Sequence, residues 1–327
     1  MEQRAVGRSG LLVSRLGLGT LTWGRDTDEH EAADQLREFA DAGGTLVDTA
    51  ASYGDGASET VLGSLLGTLV PREDVIVCTK AGVVRRHGVQ EVDTSRRTML
   101  AALDGSLRRL RTDHVDLWLA QAWHEDVPLE ETMSALEHAL RTGRARYVGF
   151  ANYCGWQTAR AATLLEAAGA GGLGGAGAVA AEVEFSLVQR GVEREVLPAA
   201  EALGLGVLAW SPLGRGVLTG KYRTGTPADS RAASPHLSGF VGVYLDGASR
   251  RVVDAVATAA DGLGCSATEV ALAWVRDTPG VASALVGART ASQLRASLAS
   301  EAVELPPEIR LALAEVSAPQ IGYPERF

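Results

Sequence analysis

Short apolar runs alternate along this chain with longer stretches in which apolar residues recur every three to four positions. The runs are Thr45–Thr49, Val75–Thr79, Val115–Ala120, Tyr147–Ala151, Ala178–Phe185, Gly206–Trp210 and Ala284–Val286. They are continuous rather than alternating, the pattern of strands buried on both faces beneath covering helices. The segments between them have helical period: Asp28–Ala42, Ser58–Leu69, Arg96–Arg111, Leu129–Thr142, Gly155–Ala168 and Val192–Leu203, with Ser292–Ala299 after the last run. Such alternation, unbroken by a linker of disordered composition, predicts an α/β fold over 1–327 as one domain, a (β/α)8 TIM barrel. Seven runs are clear. Closure needs an eighth, and the count is least settled near Ala178, where glycines precede Val183–Phe185.

The remaining segments complete that outline. Gly7–Ser14 predicts an N-terminal β-hairpin that caps the barrel floor. Ala248–Leu263, Ala267–Asp277 and Pro307–Val316 predict extra C-terminal helices, the last with proline in its first turn, where a missing N–H costs nothing. Gly169–Gly177 reads as a flexible connection between helix and strand, not as a phosphate loop, because it does not follow a strand. Arg223–Gly247 is long, rich in Gly, Pro and Ser, and follows a strand end, where a binding lid belongs.

Composition narrows the partners. Of the residues, 46% are hydrophobic and 22% charged, enough to bury a large core, and the net charge of -9 argues against a nucleic-acid surface. No apolar run has the length to cross a bilayer, and the first residues lack the order of a secretory signal. The three cysteines, Cys78, Cys154 and Cys265, lie far apart without metal-ligand spacing, so reduced thiols are expected and no metal site is. The expectation is a cytoplasmic protein acting on a small molecule.

In a barrel of this kind chemistry sits at the C-terminal ends of the strands. The first clear run ends in Asp48, the second in Lys80, and Tyr53 follows on the loop between them. A free phenol has a pKa of about 10 and is a weak acid at neutral pH. An adjacent ammonium stabilises the phenolate and is expected to lower that pKa, while a carboxylate holds the ammonium in place. The trio can thus deliver a proton to a carbonyl oxygen as hydride reaches the carbon.

Around the trio, Asp48-Thr49-Ala50, Tyr53-Gly54, Thr79-Lys80, Val115-Asp116-Leu117-Trp118, Arg146-Tyr147-Val148-Gly149 with Asn152, and Trp210-Ser211-Pro212-Leu213-Gly214-Arg215-Gly216 follow in order across nearly the whole chain. Together they resemble the aldo-keto reductase superfamily. The resemblance implies reduction of aldehydes or ketones with NADP(H) extended across the barrel top. It implies that Asn152 meets the nicotinamide carboxamide and that Trp210 stacks on the ring. Ser211, Leu213, Gly214, Arg215 and Gly216 match the pyrophosphate loop, where small residues let backbone N–H groups approach. Gly287, Arg289 and Gln293 resemble the adenosine end, and the Arg289 guanidinium suits a 2′-phosphate, the basis for expecting NADPH over NADH. Trp23, after Leu18-Gly19-Thr20, resembles a substrate-pocket position; Trp123 and His124 are further pocket candidates, each also readable as packed or solvated.

Three positions depart from the resemblance. Gln121 stands where the family usually has a catalytic histidine; its amide can donate a hydrogen bond to a carbonyl but cannot act as a charged acid. Ala151 replaces a usual serine before Asn152. Glu182 replaces a glutamine that completes the carboxamide site, and a carboxylate there would favour the oxidised, positively charged ring. Two readings therefore stand: a carbonyl reductase, or a cofactor-binding barrel with little reductase activity serving as a non-redox catalyst (cyclase or dehydratase) or a regulatory partner.

Overall fold

The apolar runs do form parallel strands that close on themselves. In the computed structural model, which describes residues 1–169, 177–227, 230–233, 238–319 and 322–323, eight strands make one barrel. They are β1 (Leu16–Gly19), β2 (Leu46–Asp48), β3 (Ile76–Ala81), β4 (Val115–Ala120), β5 (Ala145–Ala151), β6 (Ala180–Glu184), β7 (Gly206–Trp210) and β8 (Val281–Gly287). Neighbours pair in chain order, and β8 returns to β1 with Ala284 opposite Leu16 and Gly287 opposite Gly19.

The eighth strand is therefore β1, and the region after Ala178 contributes a single strand, β6. Nothing marks Leu16-Gly17-Leu18-Gly19 as a strand locally, because it has four residues and half are glycine. The barrel requires that composition. A Cβ on Gly17 would stand 2.6 Å from the Leu285 side chain and 3.1 Å from Leu46. Closure is a tertiary demand that overrides strand propensity.

Two cores result. Inside the barrel, Leu46, Cys78, Leu117, Leu119, Ala180, Leu208 and Leu285 pack together, and Val6, Leu11 and Val13 of the N-terminal segment join them. That segment is an antiparallel pair, Gln3–Ala5 with Leu12–Ser14, longer than the sequence pattern suggested. The Arg8 N–H donates to Gly204 O, beside the start of β7, so the hairpin plugs the floor. The second core lies between the strands and helices α1 (Glu29–Asp41), α2 (Ala57–Leu65), α3 (Arg96–Leu110), α4 (Leu129–Arg141), α5 (Gly155–Gly169) and α6 (Val196–Leu203). Asp28 and Ser95 cap α1 and α3 with side-chain oxygens that accept free first-turn N–H groups.

Beyond β7 come α7 (Ser238–Gly242), α8 (Gly247–Leu263) and α9 (Ala267–Arg276), then α10 (Ala291–Leu298) and α11 (Pro307–Val316) after β8. The segment expected as a lid thus carries a short helix, α7; residues 228–229 and 234–237 lie outside the described residues, as does most of the glycine patch, 170–176. The loop after β3 is a second hairpin, Val83–Arg86 with Val89–Val92. Its two turn residues, His87 and Gly88, have φ of 50° and 82°, the doubly left-handed turn that matches strand twist. Its cations pair locally, Arg85 with Asp55 and Arg86 with Asp93. The three cysteines are free, and no helix among the described residues is long and apolar enough to cross a membrane.

Candidate active site

Strand geometry alone gathers the candidate residues. A parallel barrel brings all eight strand ends to one rim, and there a cavity of about 530 Å³ opens. Asp48, Tyr53, Lys80, Gln121, Asn152, Glu182 and Trp210 line it, as do Ser211, Leu213, Arg215, Gly216, Gly287, Arg289 and Gln293. Gly214 lies in the same loop as buried backbone, behind that wall. Three substrate-pocket candidates fall elsewhere. Trp23 is fully buried and donates its indole N–H to Gln35 Oε1, so it is a core residue. Trp123 packs edge-on against Tyr153 and Trp156, and His124 Nδ1 accepts from the Asp126 N–H; neither reaches the cavity wall.

At the bottom of the cavity is a buried charge cluster. Lys80 is 1% exposed, and its ammonium donates to Asp48 Oδ1 and lies 3.0 Å from both oxygens of Glu182. The sequence reading gave Lys80 one carboxylate partner; the barrel gives it two, because β6 lies across the interior from β3. Both Glu182 oxygens therefore face Lys80.

This changes the electrostatics of Tyr53. Its ring lies 5.4 Å from the Lys80 ammonium, and burial raises its pKa well above 10. Lys80 acts to lower it, but Asp48 and Glu182 act against Lys80. The expected depression is thus overturned: the phenol stays protonated across the physiological range, a loaded donor. Burial acts to lower the Lys80 pKa, yet Asp48 and Glu182 together hold it well above its ordinary value. Glu182 is pushed up to about 8, first by burial and then by Asp48, with Lys80 opposing.

Above the cluster a chain of amide contacts crosses the rim. Trp210 donates its indole N–H to Asn152 Oδ1 at 3.0 Å, and Asn152 Nδ2 donates to the Gln121 carbonyl at 2.9 Å. The Ser52 hydroxyl donates to Gln121 Oε1 at 2.9 Å, leaving the amide NH2 of Gln121 as its donor end. Ser52 was not singled out by sequence, since a serine beside a tyrosine carries no signal of its own. Asn152, Ser211 and Arg215 adopt φ of 61°, 52° and 58°. Non-glycine residues rarely hold such values, and strain of this kind gathers at functional sites.

The far end of the cavity is cationic. Lys221 and Arg289 both line it, with Thr219, Thr268 and Ser297 nearby. Lys221 was missed because it follows the strand tip by a whole 3-10 turn, Gly214–Thr219, which folds it back toward the wall. Arg215 holds a structural post. It grips Glu184 with two bonds of 2.6 and 2.7 Å, donates to Phe240 O at 2.6 Å, and stacks 3.8 Å from the Phe240 ring centroid. Phe240 of α7 reaches the cavity wall through this clamp.

The chain matches the Aldo/keto reductase family over residues 15–317. It is 34% identical to an uncharacterized oxidoreductase, YrpG, of Bacillus subtilis (strain 168), over 97% of this chain and 96% of that one. It is 35% identical to a probable voltage-gated potassium channel subunit beta of Oryza sativa subsp. japonica, over 90% of this chain and 89% of that one. With an L-glyceraldehyde 3-phosphate reductase of Escherichia coli (strain K12) it shares 32% identity over 90% of this chain and 86% of the other.

Proposed function

The chain belongs to the aldo/keto reductase family, and on that premise we propose that it is an NADPH-dependent reductase of an aldehyde or ketone, a class that takes in sugars and secondary metabolites. One observation carries the reading: a protonated phenol over a buried ammonium shares a single cavity with an indole wall and two cationic side chains. An elongated ligand with an aromatic end and several phosphates suits that distribution. Trp210 would face the nicotinamide, the Ser211–Gly216 loop and Lys221 the pyrophosphate, and Arg289 with Gln293 the adenosine end. When bound, the reduced nicotinamide supplies the hydride.

The chain's own residues do the rest. Tyr53 holds the proton destined for the carbonyl oxygen. Gln121, turned by Ser52, offers an amide N–H to the same oxygen, which orients the carbonyl without supplying charge. Lys80 keeps positive charge beneath the phenol, stabilising the phenolate that forms as the proton leaves. Phe240 and the lid exclude water from the reacting atoms.

The cofactor preference is open to direct test. Arg289→Ala is expected to weaken NADPH binding by roughly tenfold or more, a loss of about 1.5–3 kcal/mol for a hydrogen bond to a charged group, with little change for NADH. Fluorescence titration with both cofactors measures it; equal losses for the two would remove Arg289 from the 2′-phosphate. The second reading, a cofactor-binding regulatory barrel with little turnover, is favoured by one feature, the uncharged Gln121 in place of a group that carries a proton. Tight NADPH binding without consumption against a panel of aldehydes and ketones would select it.

A further inference from the structure

The cluster beneath Tyr53 contains one ammonium and two carboxylates. Asp48 and Glu182 are 3% and 2% exposed, and their nearest oxygens lie within 4.8 Å of each other. Two carboxylates and one lysine would leave a net negative charge in a water-poor interior, and like charges so close do not both ionise readily. The remaining groups facing Glu182 give no relief. Tyr53 and Cys78 are neutral, burial raising both pKa values, and the paired residues on β5 and β7 are Ala151 and Leu208. A proton is the available compensation.

Its position gives that proton a use. Lys80 bonds Glu182 on one side and lies 5.4 Å from the centre of the Tyr53 ring on the other, so the three stand in sequence from the barrel interior to the cavity. We propose that Glu182 carries a proton in the resting protein and, through Lys80, reloads Tyr53 after each proton transfer. The proposal rests on the reading of Tyr53 as the acid. In the reaction, hydride from the reduced cofactor bonds to the carbonyl carbon, and the Tyr53 O–H bond breaks as its proton bonds to the carbonyl oxygen. The phenolate takes a proton from the Lys80 ammonium, and the Lys80 amine takes one from the Glu182 carboxyl. Glu182 is left as a carboxylate, which solvent reprotonates when product leaves. The two electrons come from the cofactor, and the net uptake is one hydride and one proton.

This also gives the substitution at this position a purpose: a glutamine could hold Lys80 but could not store a proton. The upward shift of the Glu182 pKa to about 8 agrees with the geometry.

Infrared spectroscopy of the cofactor-free protein tests the stored proton. The wild type is expected to show a buried, protonated carboxyl C=O band at neutral pH that vanishes as pH rises through about 8, and Glu182→Gln to lack it. Absence of the band from wild type, or its persistence in Glu182→Gln, overturns the assignment. Steady-state turnover tests the relay. In wild type it should fall as pH rises through about 8, because an ionised Glu182 cannot refill Lys80. Glu182→Gln should lose that limb and run roughly 10²-fold slower throughout, the scale of one general acid–base contribution. An unchanged limb in the variant overturns the relay. If wild type reduces no carbonyl compound, the reductase reading fails instead, while the infrared result stands or falls by itself.

Discussion

Tyr53→Phe is expected to lose carbonyl reduction by about 10²–10⁴-fold while the folded protein and its cofactor affinity persist. The ring keeps its buried contacts, because only the hydroxyl is removed. What disappears is the phenolic proton donor above Lys80 in the cavity lining, and Gln121 cannot replace it, since an amide gives up no proton. Steady-state kinetics with NADPH should therefore show a fall in kcat with Kd for NADPH little changed. Retention of wild-type kcat would mean that another group, or water, protonates the substrate, and the role assigned to the whole cluster would fall with it.

The second large effect is on stability as well as activity. Lys80→Met removes the cation shared by Asp48 and Glu182, and breaking a buried pair from one side costs about 3–5 kcal/mol because the partners remain buried without compensation. The effect depends on pH. In that variant Glu182 has lost the group that favours its ionisation, so its pKa, already raised, moves further upward. A carboxyl whose folded pKa is raised contributes stability that is present at low pH and lost as pH rises through the folded value. The urea midpoint of Lys80→Met should thus lie closest to wild type in acid and fall away from it toward neutral and alkaline pH. Adding Asp48→Asn and Glu182→Gln removes both orphaned carboxyl groups and should restore much of the midpoint without restoring turnover. A single variant as stable as wild type at every pH would contradict the buried charge cluster.

Much of this site could be read from the chain because strand tips are places where position and chemistry coincide. Asp48, Lys80, Asn152 and Trp210 each end or follow a continuous apolar run, and parallel pairing then brings them to one rim without further information. What could not be read depends on contacts across the barrel. β1 is invisible locally because Gly17 is there to admit Leu285, a residue more than 250 positions away in sequence. Trp23 has the location of a pocket residue, yet its indole turns inward to Gln35 on α1. The direction of the Tyr53 shift is likewise a property of three strands. Asp48 and Lys80 alone suggest a lowered pKa, and burial of the phenol reverses it, with Asp48 and Glu182 opposing Lys80.

The reductase reading meets its most direct test in hydride tracing. NADPH carrying deuterium on its hydride-bearing carbon should be incubated with the wild-type protein and a panel of aldehydes and ketones, with products read by mass spectrometry and NMR. An alcohol labelled on the former carbonyl carbon is expected, one label for each NADPH consumed. NADPH bound in stoichiometric amount, with no labelled alcohol from any member of the panel, would rule out the reductase activity.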